Sequence, residues 1–326
     1  MSGHKARAVI AIKTESSAGT YTDPTSSGTW LYAEDFDLGY GGEPLKDRSA
    51  TIAAYPGAAP PKVGAFFYEV SMTVPAFHWG DTDDATDHPH AILFGAGPST
   101  ITAGASDGAD LTVRPDLSTS SASTFSMAYQ AEGGNLYKMR GCRAIVEEIS
   151  GGGVGDTLML KVKIQGLHEA TPAAGSVNFA SVTYGDFVEV TGMGATMDVG
   201  VSGACGLANW TMTTGQIFRP RVAQEEAYGY KIAGVGHNGY AKLSVNLEEV
   251  VESTFAVWAA ALAKTEATAT LTFPGPGSET FAVNFSPKTT PDLPKLGERD
   301  DNAVYELELH SPWDQGSGYH YGLTYS

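Results

Sequence analysis

The nine residues Phe66-Phe67-Tyr68-Glu69-Val70-Ser71-Met72-Thr73-Val74 alternate strictly between two classes. Phe66, Tyr68, Val70, Met72 and Val74 form one set, and Phe67, Glu69, Ser71 and Thr73 the other. Successive side chains of an extended chain point to opposite faces, so this stretch is a strand with one buried and one wetted side. Leu158 to Gln165, Lys242 to Glu248 and Val304 to His310 repeat the pattern. Such alternation belongs to antiparallel sheets, since strands covered on both faces read as unbroken apolar runs. Turn-rich stretches, Ser150-Gly151-Gly152-Gly153 and Pro274-Gly275-Pro276-Gly277, separate the strands. Helical signals are few. Glu252 to Thr265 is Ala-rich, opens on Ser253 or Thr254 as a cap, and predicts a face of Phe255, Trp258, Ala259 and Leu262. His88 to Gly95 predicts a second, shorter helix. A mainly β protein is expected.

Composition narrows the function. The 326 residues make about two domains' worth of chain. Twenty Lys and Arg against 37 Asp and Glu leave a net charge of −17, the wrong sign for gripping DNA or an anionic membrane. Charged residues are only 17% of the chain, and glycines number 39. Cys142 and Cys205 cannot make a disulfide scaffold or a four-thiolate zinc site, and two free thiols are expected over a bridge. The apolar stretch up to Ile12 is too short for a secretion signal, and no run approaches the ~18 apolar residues of a membrane span. A soluble protein made in a cytoplasm is the expectation.

The alternating segments recur in order. Tyr68 and Val70 match Leu243 and Val245, and Phe36 upstream of one matches Trp210 upstream of the other. A helical segment follows each, and each half closes on a strand, Leu158–Ile164 and Tyr305–Leu309. The reading is an internal duplication: residues 1–168 and 179–326 as two domains joined by residues 169–178.

The opening Ala11-Ile12-Lys13-Thr14-Glu15-Ser16-Ser17-Ala18-Gly19-Thr20-Tyr21 resembles that of tail tube (major tail) proteins of tailed bacteriophages. The hairpin around Gly64–Val74, the short helix at Ala91–Gly97 and the run Tyr137–Ile149 are similar to parts of the same family. The resemblance covers most of the chain in the order of its elements, and only short stretches in residues. It implies two tandem β-sandwich or half-barrel domains, each with a flanking α-helix and a long loop, in a structural virion protein. Such domains form six-fold rings that stack into the tube carrying genomic DNA. With two domains per chain, a homotrimer would give a pseudo-hexameric ring, with six chains per ring as the alternative. Partners implied by the resemblance are further copies of the chain, a tape measure protein and a tail terminator. DNA would pass without specific binding, no membrane would be involved, and assembly in the host cytoplasm would place the protein in the virion tail.

A conduit must repel its cargo, so polar-face carboxylates are candidates for the lumen: Glu69, Glu147, Glu148, Glu248, Glu306 and Glu308. Lys161 and Lys163 stand where the second copy has Glu306 and Glu308, so the lining is not uniformly negative. The segments Arg48–Pro61 and Arg219–Gly236 occupy equal places in the halves and are candidates for ring-to-ring contact, through Arg48, Tyr55, Arg219, Arg221, Tyr228 and Tyr230. The N-terminal arm before Lys13 and the Tyr-rich end from Tyr319 to Tyr325 are expected to order on assembly.

Enzyme chemistry finds little support. Asp81 to His90 is rich in carboxylates and imidazoles but lacks the glycine and final glutamate of a calcium loop, and is read as structural. Gly151 to Thr157 lacks the lysine of a phosphate loop and precedes a strand. No nucleophile elbow or acid–base pair is evident, and neither cofactor nor metal is expected. The competing reading is an adhesin or carbohydrate-binding β-sandwich, with Trp79, Trp210 and Trp313 as aromatic platforms.

Overall fold

Strand is the dominant state: 62% of the described residues in a computed structural model, against 6% helix, with antiparallel sheets throughout. The structure describes all residues except 1–7, 27, 44, 53–54, 79–88, 104–110, 117–122, 133, 152–154, 176, 179–181, 183–187, 199–206, 227, 249–255, 276–278 and 300–301. The chain opens on β1 (Ala8–Thr14), β2 (Thr29–Leu31) and β3 (Glu34–Gly42), then a hairpin of β4 (Leu45–Ile52) and β5 (Tyr55–Val63). Next come β6 (Phe66–Pro75), helix α1 (Pro89–Gly95), β7 (Ser99–Ala103), β8 (Leu111–Pro115) and β9 (Phe125–Ala131). The long β10 (Asn135–Gly151) and β11 (Met159–Ala174) follow. Beyond them lie β12 (Thr196–Asp198), β13 (Leu207–Thr213), β14 (Gln216–Val222), β15 (Tyr230–His237) and β16 (Ala241–Glu248). Helix α2 (Val257–Ala263) leads to β17 (Thr270–Pro274), β18 (Thr280–Phe285), β19 (Thr290–Pro291) and β20 (Lys295–Arg299). The chain closes on β21 (Asn302–Ser311) and β22 (Tyr321–Tyr325).

A twelve-stranded sheet runs β19-β21-β16-β13-β10-β11-β6-β3, with β1, β2, β9 and β20 branching from it. Its members obey the period of two read from the sequence. Tyr68, Val70, Met72 and Val74 are buried on β6, as are Leu160, Val162 and Ile164 on β11. Pairing lays these residues in rows: Leu38 faces Val70, Val70 faces Ile164, and Ile164 faces Ala144. In the other half Trp210 faces Val245, which faces Leu307. A second, six-stranded sheet runs β12-β17-β18-β22-β8-β7. One hydrophobic cluster draws on both sheets, as in a β-sandwich; Trp210 of the first stacks on Phe273 of the second at 5.3 Å.

Four expectations change. The Tyr-rich C-terminus is core rather than a free tail: β22 sits between β18 and β8, and Tyr321, Leu323 and Tyr325 are fully buried. The arm before Lys13 is likewise ordered from Ala8, where β1 pairs with β9 and β2 and buries Val9 to Ile12. In α2 the buried residues are Val257, Ala260 and Ala261, while Trp258 and Leu262 face outward. Small alanines let the helix approach β19 closely, and Lys264 ends it in the left-handed conformation. Phe255 and the expected caps Ser253 and Thr254 lie outside the described residues. Within the segment read as a connector, residues 169–174 are strand, since β11 pairs with β10 as far as Asn135 opposite Ala174. Its Ala and Thr side chains suit a half-exposed ladder as readily as a loop.

Candidate functional site

The polar face of the large sheet gathers the candidate carboxylates. On β6, Glu69 lies opposite Gln165 of β11, in the parity of Lys161 and Lys163. On β10, a register shift between Val146 and Glu148 inserts Glu147 as an extra residue. Such a bulge lets two consecutive side chains share a side. Glu148 then faces Lys161, and Glu147 reaches Lys163 at 2.8 Å. On β21, Glu308 lies opposite Ser244 and meets Lys242 at 2.8 Å, while Glu306 pairs in register with Lys295. Glu248 ends β16; its side chain lies outside the described residues. The face is therefore a mixed field in which lysines offset part of the acid, as Lys161 and Lys163 already suggested. Half-exposed pairs of this kind add little to stability, on the order of 0–1 kcal/mol each. Their effect lies in the charge the face presents.

The opening motif folds into a clamp. The Glu15 carboxylate is buried and accepts four hydrogen bonds: from Thr124 Oγ1 (2.7 Å), Ser126 Oγ (2.8 Å), and the backbone N–H groups of Gly19 (2.7 Å) and Gly141 (2.8 Å). A buried charge is tolerable when its lone pairs are this fully used. Gly19 and Gly141 both have positive φ, +79° and +58°, and the side chain of Ile232 sits against them. A Cβ on Gly141 would stand 2.8 Å from Ile232 Cγ1, so the approach requires glycine. Glu15 was visible in sequence only as part of the resemblance; three of its four partners lie more than a hundred residues away and carried no local signal.

Ile232 belongs to the β14–β15 hairpin, and this hairpin crosses onto the first half of the chain. Tyr228 packs against Phe66 at 4.9 Å and His168 at 4.8 Å, and its carbonyl accepts a hydrogen bond from the Phe66 N–H (3.1 Å). Tyr230 meets Phe67 at 4.9 Å. At the hairpin base, Gln216 accepts from the Val146 N–H (2.9 Å) and donates to Tyr321 Oη (2.7 Å), joining β10 to β22. Arg219 and Arg221 point to solvent. Of the residues considered for ring-to-ring contact, Tyr228 and Tyr230 are thus engaged within the chain, and Arg219 and Arg221 are open. Arg48 and Tyr55 stand on β4 and β5, opposite Ala59 and Ile52; their side chains lie outside the described residues.

The metal-like motif does not come together among the described residues. Asp81 to His88 lie outside them, and His90 is buried on α1 with both ring nitrogens in use. Its Nε2 lies 3.0 Å from the Pro75 carbonyl, which can only accept, so Nδ1 accepts from Tyr325 Oη at 3.1 Å. Burial pushes the His90 pKa down to about 4. A different trio, Asp292, Glu308 and His310, brings three potential ligand atoms within 4.8 Å. Its members already engage each other and Lys242, with His310 Nε2 at 2.8 Å from Asp292. As for aromatic platforms, Trp210 is 3% exposed and belongs to the core, Trp313 is half-buried beside His320, and Trp79 lies outside the described residues. No model of a known protein family matches this sequence, and no curated protein is detectably similar to it.

Proposed function

We propose that the protein is a structural subunit of a phage tail tube, built from two tandem copies of one tube domain and polymerising into stacked rings that conduct DNA. The observation that carries this reading is the strand order. β3, β6 and β11 lie side by side, with the hairpin β4–β5 after the first, and α1 with the hairpin β7–β8 after the second. β13, β16 and β21 do the same, with β14–β15, α2 and β17–β18 in the same places. The pairing rows match Leu38 to Trp210 and Ile164 to Leu307 once Val70 is matched to Val245. Sequence alone matched Phe36 to Trp210 and Leu158 to Tyr305; both differ from the paired rows by an even number of residues, which leaves every side chain on its own face.

The two copies meet edge to edge where β10 pairs with β13. Among the described residues, β3 pairs only with β6, and β20 only with β21. The chain therefore contains one copy-to-copy junction and ends on two edges of the kinds that junction joins. Repeating a heterologous contact between chains closes a ring when its rotation permits. Three chains would give six copies. The polar sheet face then supplies the lining, with enough lysine among its carboxylates to temper the repulsion of DNA without forming a basic track. Tape measure and terminator proteins are the partners this reading implies.

Negative-stain microscopy across a concentration series, with light scattering on the same samples, tests it. Rings or hollow tubes of three chains per ring are expected. Six chains per ring would keep the tube and remove the pseudo-hexamer. A monodisperse monomer at every concentration and salt would overturn the reading.

A further inference from the structure

The two copies differ in what covers their polar face beside the third strand. On the first copy, the β14–β15 hairpin lies against Gly141 and Gln165–Leu167, and Tyr230 packs on Phe67. The matching place on the second copy follows from the pairing. Gly166 faces Tyr68 as Leu309 faces Leu243, so Gln165–Leu167 correspond to Glu308–His310. Gly141 lies on β10 beside that segment, as Pro291 lies opposite Leu309. In the second copy this place is an open groove between α2 and β19–β21, lined by Pro291, Leu293, Glu308, His310 and Leu262. Leu293 is 52% exposed and Leu262 73%. Exposed leucines that share one groove mark a contact surface.

We infer that this groove seats the β4–β5 hairpin of a second copy of the chain, in the way the first copy seats β14–β15 of its own chain. The inference rests on the ring-forming reading above and deepens it by naming the segment and its seat. Three observations lead to that occupant. β4–β5 holds the same position in the first copy that β14–β15 holds in the second, between the first two strands of the large sheet. Among the described residues β4 and β5 pack chiefly on each other, whereas β14 and β15 also pack on β10 and β11. Residues 45–63 carry Lys46, Arg48 and Lys62 against Asp47, a basic segment in a chain of net charge −17, and the groove presents Asp292, Glu306 and Glu308 against Lys264 and Lys295. The contact is thus lateral, between neighbours of one ring. On this inference Arg48 and Tyr55 would meet a neighbour within the ring rather than one in the next ring.

The test is photocrosslinking in the full-length chain with benzoylphenylalanine in place of Leu293, an exposed position that leaves the core intact. Assembled samples are irradiated, and the covalent dimer is digested and sequenced by mass spectrometry. The expected product joins position 293 to a peptide within residues 45–63 of a second chain. Rings or tubes that form normally but crosslink elsewhere, or not at all, would overturn the docking and leave the tube reading standing. A monomer at every concentration, with no covalent dimer, would overturn both. As a second arm, the double variant Leu262→Asp, Leu293→Asp should keep the wild-type circular dichroism spectrum and raise the concentration needed for assembly at least tenfold. Unchanged assembly of that variant would also overturn the docking.

Discussion

Glu15 shows how one side chain can hold distant segments together. Its carboxylate gathers donors from the loop after β1, from β9 and from β10. Glu15→Ala leaves buried hydroxyls and amides without a partner, each costing about 1–3 kcal/mol. Urea unfolding should show a loss of at least about 4 kcal/mol with little change in slope. The buried histidines predict a response to acid. Burial holds His90 and His320 neutral, with pKa values down to about 4, the second also lowered by His237 beside it, and burial lowers His237 too. In the unfolded chain histidine takes up its proton near pH 6.5. As pH falls below about 6.5 the unfolded state binds protons that the folded state refuses, so stability declines from there to about 4, and below that these groups add no further loss. Thermal unfolding between pH 7 and 4 should show the decline. In His90→Gln the slope should be shallower by up to ~1.4 kcal/mol per pH unit, one proton's worth.

At the scale of elements, β22 and α2 make opposite predictions. β22 bridges the hairpins β17–β18 and β7–β8, and Tyr325 packs its ring 4.9 Å from Phe281 while its hydroxyl meets His90. Tyr325→Ala should cost about 3–5 kcal/mol, the range for emptying a buried aromatic site. Leu262→Ala on α2 removes a side chain that is 73% exposed and should change monomer stability by less than ~0.5 kcal/mol. Calorimetry at a concentration too low for assembly separates the two. The contrast was not legible from helical spacing. A seven-residue helix has room for one buried stripe, and whether Val257 and Ala260 or Trp258 and Leu262 fill it depends on which side β19 approaches.

For the whole molecule, the charge on the polar sheet face carries the functional prediction. The triple variant Glu69→Gln, Glu306→Gln, Glu308→Gln removes three carboxylates and frees Lys242 from its partner. It should fold normally, because half-exposed ion pairs contribute about 0–1 kcal/mol. It should also bind duplex DNA at low salt more tightly than the wild type does, with an affinity that falls steeply as salt rises. Gel shift across a salt series measures both. Equal binding by the two proteins would mean that this face does not govern contact with DNA.

Sequence by itself determined that the chain is β-rich, which residues alternate between core and solvent, and that the strand pattern recurs along the chain. Those properties are local: a period of two is written in neighbouring residues. Tertiary structure alone decided which strands pair, because a slip of two or four residues keeps every face correct and leaves no trace in the alternation. It also placed β22 in the middle of a sheet, turned Leu262 outward and folded Tyr228 back onto Phe66. Each of these depends on partners far along the chain, selected by shape and by hydrogen bonds that no short stretch of sequence specifies.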